Sequence, residues 1–93
     1  MTDQEAARRI VDSLLSDRFE GRTKDELCRA VLPRLGERTR PSDKLYRQVG
    51  RILRRLERRS FVRFHRDVWR WRMGNAERFL TPAYIARNGT AKP

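Results

Sequence analysis

Lys44, Arg47, Arg51, Arg54 and Arg58 recur at intervals of three and four residues. On a helix they share one side, within about 80° of arc. The chemistry open to them is recognition rather than bond-making. A guanidinium presents paired N–H groups that match two phosphate oxygens, or O6 and N7 of guanine. Asp43 is the one acid on that side of the same helix, in its first turn, where it suits the helix dipole. Glu57 falls on the flank. A merely solvated face usually mixes signs, and like charges four apart destabilise an isolated helix. An anionic partner would reward the arrangement, nucleic acid ahead of an acidic protein.

Other chemistry is poorly supplied. One cysteine and one histidine fall short of the four Cys/His ligands of a structural zinc site. There is no glycine-rich phosphate loop and no Gly-x-Ser-x-Gly elbow. No nucleophile–base pair and no carboxylate pair in an apolar strand stands out. The expectation is a protein that is not an enzyme, with no cofactor, no metal and no small-molecule ligand. Cys28 reads as a small buried side chain and His65 as exposed.

The elements that must position those arginines have little chain to work with. Ninety-three residues make one domain with a small core. Lys+Arg number 23 against 12 Asp+Glu, a net charge of +11. Residues 42–73 hold eleven basic and three acidic side chains, so most of the excess sits in one third of the chain. Only Lys24, Lys44 and Lys92 are lysines. Coding bias explains that ratio as well as function does, but it does not explain the clustering. No apolar run approaches the roughly 20 residues of a membrane span. Asp3, Glu5 and the lack of a long apolar stretch argue against a signal peptide. A cytoplasmic protein, on the nucleoid when bound to DNA, is expected.

Thr2-Asp3-Gln4-Glu5 and Thr23-Lys24-Asp25-Glu26 both have the form of a capping box. Helical apolar spacing follows each, predicting helices over about 3–16 and 24–32. Pro33 ends the second, with one more irregular turn to Leu35 and Gly36 suited to a C-cap. Residues 36–41 read as a loop. Ser42 can cap a third helix over about 43–59, whose apolar side is Leu45, Val49, Ile52, Leu53 and Leu56. Gly50 inside it costs about 1 kcal/mol relative to alanine and would allow the close approach of another helix.

After Ser60 the period changes from 3.6 to 2. A two-residue turn at Arg66-Asp67 pairs Phe64 with Trp69, Val62 with Trp71 and Arg63 with Arg70. One face is then Val62, Phe64, Trp69, Trp71 and Met73, and a slip of one residue would expose it. Those rings could form a base-stacking platform, but the core reading is preferred. Phe61, on the other face, is the least settled. The turn lacks Asn-Gly or Asp-Gly, so a longer loop stays open. A short helix over about 82–88 is expected in a C-terminal extension, 76–93, beyond a domain at 1–75.

Leu45, Val49, Ile52, Leu53 and Leu56, followed by Arg58-Arg59-Ser60-Phe61-Val62 and the hairpin Arg63 to Met73, resemble the winged helix-turn-helix family. The match spans about residues 4–73. It departs from the family pattern at Ser60, where a glycine is frequent, and in a short wing turn. The resemblance implies a mainly α fold with a small antiparallel β-hairpin (α+β). It implies that the third helix lies in the major groove of double-stranded DNA and the hairpin along the backbone. Ser42, Lys44, Tyr46, Arg47 and Arg51 would then approach bases and nearby phosphates, and Arg54 the backbone. Arg63, Arg66 and Arg70 would be wing contacts, with Arg38 and Arg40 also near phosphate. Packing of Tyr46 against the second helix is an equal alternative.

The leading expectation is sequence-specific DNA binding by a small transcriptional regulator. The alternatives are a non-specific architectural DNA- or RNA-binding protein and a winged-helix adaptor. Phe79, Leu80, Tyr84 and Ile85 offer a homodimer surface, or a cover for the core edge.

Overall fold

A computed structural model of the protein describes residues 1–17 and 19–72. In chain order the elements are α1 (Asp3–Ser16), α2 (Lys24–Val31), α3 (Asp43–Arg58), β1 (Val62–His65) and β2 (Val68–Trp71). This is three helices and a two-stranded antiparallel hairpin, an α+β arrangement. The expected short helix at 82–88, Met73 and the apolar set Phe79, Leu80, Tyr84 and Ile85 lie outside the described residues.

Each helix starts where a side-chain oxygen satisfies an orphan amide. The Thr2 hydroxyl accepts from the Glu5 amide at 3.1 Å. At α2 the reciprocal box is complete. The Glu26 amide donates to the Thr23 hydroxyl at 3.2 Å, and the Thr23 amide donates to Glu26 Oε1 at 2.8 Å. Ser42 caps α3 by accepting from the Leu45 amide at 3.2 Å. α2 ends one residue short of expectation, at Val31 with Leu32 as C-cap. The irregular turn to Leu35 is present, closed by the Leu35 amide on the Leu32 carbonyl. Gly36 is not the cap, and it does not take a left-handed backbone. Its carbonyl instead accepts from Arg29, which also holds the carbonyls of Glu37 and Thr39 and so pins the loop before α3.

The core is formed where the three apolar stripes meet. Ala6, Ala7, Ile10, Val11 and Leu14 from α1, Leu27, Cys28 and Val31 from α2, and Val49, Ile52, Leu53 and Leu56 from α3 are sealed from solvent. Val62 and Trp71 close its open end. The hairpin register is Val62 with Trp71, Arg63 with Arg70, Phe64 with Trp69 and His65 with Val68. The turn is therefore the two-residue one, Arg66-Asp67. Both residues are left-handed, at φ 52° and 67°, as the favoured hairpin turn requires. Asparagine and glycine are absent, but aspartate also tolerates that region.

The aromatic face enters the core only at the hairpin base. Phe64 is 49% exposed, which corrects its expected place in the core. Strands of four residues extend only about 13 Å. In their far half Trp69 packs against the edge of the core, partly buried, and Phe64 stands beyond it. There Phe64 packs on Trp69, with ring centroids 4.8 Å apart. Phe61 is partly buried and stacks on Trp71 at 5.6 Å.

A further tether joins the hairpin to the segment between α1 and α2. Arg22 and Trp69 exchange both backbone hydrogen bonds, at 2.9 and 2.7 Å, beside β2. Gly21 makes this approach. Its φ is +75°, and an added Cβ would sit 2.6 Å from Arg70 Cγ and 2.7 Å from the Trp69 carbonyl oxygen. Nothing in the hydrophobic periodicity signals this contact, because it is made by main chain.

Candidate nucleic-acid interface

The amphipathic split of α3 decides what it presents. Val49, Ile52, Leu53 and Leu56 face inward, and Lys44, Arg47, Arg51, Arg54 and Arg58 face solvent. Along the outer side runs an open groove of about 420 Å³, lined by Lys24, Arg47, Gly50, Arg51, Arg54, Arg55 and Arg58. Every ionisable group in that lining is a cation. The geometry brings Arg47, Arg51, Arg54 and Arg58 together as the spacing predicts, and it adds Arg55.

It also adds Lys24, which sequence reasoning missed. Lys24 is the first residue of α2, and it reaches across to α3. Its ammonium lies over the Tyr46 ring, 3.7 Å from the centroid. An added Cβ on Gly50 would meet Lys24 Nζ at 2.6 Å, so the glycine makes room for this amine. The neighbour that Gly50 invites is thus a cationic side chain rather than a helix backbone. Burial lowers the Lys24 amine below the ordinary lysine range, and the Arg54 charge pushes the same way. A nearby anion would relieve both effects. Tyr46 is 41% exposed and supports Lys24, so its contact with α2 is made.

The second missed residue is acidic. Asp3, in the first turn of α1, reaches the flank of α3. It accepts from Arg51 Nη2 at 2.7 Å and Arg51 Nε at 3.1 Å. It also accepts from Gln48 Nε2 at 3.1 Å and Arg55 Nη1 at 3.5 Å. The Arg51 hydrogen bond, above all, holds the Asp3 carboxyl below its usual range, and the same bond raises Arg51. The face expected to be almost free of compensating acid thus carries one compensated arginine. Asp3 lies 48 positions away in sequence, so no helical wheel of α3 could show it.

The remaining candidates divide by location. Ser42 is exposed, but its hydroxyl is committed to the α3 cap. Lys44 is exposed beside a second groove with Met1, Asp3, Ser42, Leu45, Gln48 and Arg51. Arg40 lines another with Asp25, Pro41, Asp43 and Tyr46, next to two carboxylates, and Arg38 is exposed in the preceding loop. Arg63, His65 and Arg66 are exposed on the hairpin. Arg70 is half-buried. Its stem covers Gly21 and its Nε is buried with no hydrogen-bond partner, as is Trp71 Nε1. Arg70 therefore packs against the tether, whereas Arg63 and Arg66 have their forks in solvent.

Among the described residues, no group of three His, Cys, Asp or Glu could hold a metal ion. Among the same residues, no helix is long and apolar enough to cross a membrane. Compared with family models, curated proteins and solved structures, the chain has no match.

Proposed function

We propose that the protein binds double-stranded DNA as a winged helix, with α3 in the major groove and the β1–β2 hairpin along the backbone. One observation carries this reading: the groove along α3 is lined by six cations and no acid. The architecture supports it. A helix of 16 residues is about 24 Å long. It projects one polar face away from a core that α1 and α2 cover from behind. A major groove about 12 Å wide admits such a helix. The hairpin, tied along β2 by the Arg22–Trp69 bridge, offers Arg63 and Arg66 for phosphate.

Lys44 and Arg47 lie in the N-terminal half of α3, where base edges are nearest in this docking mode. Arg54 and Arg58 lie further along and grip phosphate, and Lys24, over Tyr46 beside the N-terminal half of α3, grips it from α2. Six to eight such contacts give a slope of log K against log salt of about −5 to −7. Arg47→Ala and Arg54→Ala should each make that slope shallower by about one. Only Arg47→Ala should also relax sequence preference.

The reading of a small sequence-specific regulator is tested by selection from a random duplex library at about 150 mM salt with competitor DNA. One enriched motif supports it. An inverted repeat with half-sites about one helical turn apart adds the homodimer. Binding without enrichment leaves an architectural protein that grips phosphate alone. Loss of all duplex to the competitor refutes the DNA reading and turns the arginine face toward RNA or an acidic protein.

A further inference from the structure

Arginine has two edges that can each make a forked pair of hydrogen bonds. One edge is Nε with Nη2, and the other is Nη1 with Nη2. Asp3 takes the first edge of Arg51. Nη2 reaches Oδ1 at 2.7 Å and Nε reaches Oδ2 at 3.1 Å. The outer edge is left with its Nη1 hydrogens and the second Nη2 hydrogen. The Arg51 side chain is 49% exposed and lines the cationic groove.

Asp3 is itself held. Gln48 Nε2 donates to Oδ1 at 3.1 Å and to the Met1 carbonyl at 3.3 Å. Arg55 Nη1 approaches Oδ2 at 3.5 Å. The carboxylate also lies in the first turn of α1, where the helix dipole favours a negative charge. Three side chains from two elements, Asp3 of α1 with Gln48 and Arg55 of α3, thus fix the plane of one guanidinium. An ordinary surface arginine is free to rotate, and freezing it on binding costs entropy.

From this geometry we infer that Asp3 is a positioning residue for base recognition, presenting the outer fork of Arg51 to the O6/N7 edge of a guanine. The inference rests on the DNA-binding reading and deepens it. A phosphate grip alone would gain nothing from an acid at this place, because a carboxylate beside the groove repels the backbone. A fork with a fixed plane is useful where two acceptors must be met at once.

The test uses the full chain and the motif selected from the random library. Asp3→Asn removes the charge and one acceptor. Discrimination for one guanine in the motif should fall roughly tenfold. Binding to random duplex should hold steady or tighten, because a negative charge has gone. Arg51→Lys keeps the positive charge and should lose the same guanine preference with the salt slope unchanged. The double variant should lose no more than either single one. A purely structural role for Asp3 would weaken specific and random binding together, and that result overturns the inference. An unchanged motif in Asp3→Asn overturns it as well and leaves DNA binding standing. If the wild-type chain enriches no motif, the sequence-specific reading falls first and this one with it.

Discussion

Single side chains on the rim of α3 tie the fold to the surface it presents. Asp3 is the clearest, since Arg51 holds its carboxyl below the ordinary range. A carboxylate depressed on folding contributes stability above its unfolded pKa of about 4, and that contribution is lost as pH falls through the lower, folded value. The stability gap between wild type and Asp3→Asn should therefore be widest above pH ~5 and close toward pH ~2, as followed by urea unfolding at stepped pH. A gap independent of pH would mean that the charge of Asp3 contributes nothing. Gly21 is the other decisive residue. Its positive φ and the 2.6 Å and 2.7 Å approaches leave no room for a methyl group. Gly21→Ala should cost about 2–4 kcal/mol, read as a lowered melting temperature.

The junction between α3 and β1 turns on one residue. Ser60 sits at φ 61°, in the left-handed region where glycine is at ease. The helix ends there because the Ser60 amide turns back to the Glu57 carbonyl and the Phe61 amide to the Leu56 carbonyl. The place where the winged-helix pattern often has glycine is thus a place where the backbone asks for one. Ser60→Gly should stabilise the fold by roughly 0.5 kcal/mol, the strain relieved less the added freedom of the unfolded chain. A loss of stability on denaturant titration would show that the serine side chain matters more than the backbone. The helix limits, the Ser42 cap and the hairpin register were legible in the sequence, because capping residues and period changes are local signals. Phe64 was misplaced because alternation says which face a residue shares and not how far the neighbouring layer extends. The Arg22–Trp69 bridge, Asp3 on Arg51 and Lys24 over Tyr46 were illegible, because each joins distant segments through main chain or a single long side chain. Gly50 was the one local hint of the third.

On the scale of the molecule, a small apolar centre carries a surface with a net charge of +11. The hairpin contributes Val62 and Trp71 to that centre and packs Trp69 against it, while Phe64 and the Arg66-Asp67 turn stand in solvent. Cys28 is the chain's one thiol. It is fully sealed between the helices, and burial raises its pKa. A thiol reagent attacks only the thiolate, so it must wait until the helices part. Labelling of Cys28 is therefore a clock for how often the core opens. Its rate, divided by the rate for the unfolded chain, gives the fraction of time spent open. A cognate duplex that grips α3 together with Lys24 of α2 should slow that clock in proportion to its occupancy. The same cysteine thus times the breathing of the core, bare and with a partner bound, with no tag or dye attached beforehand.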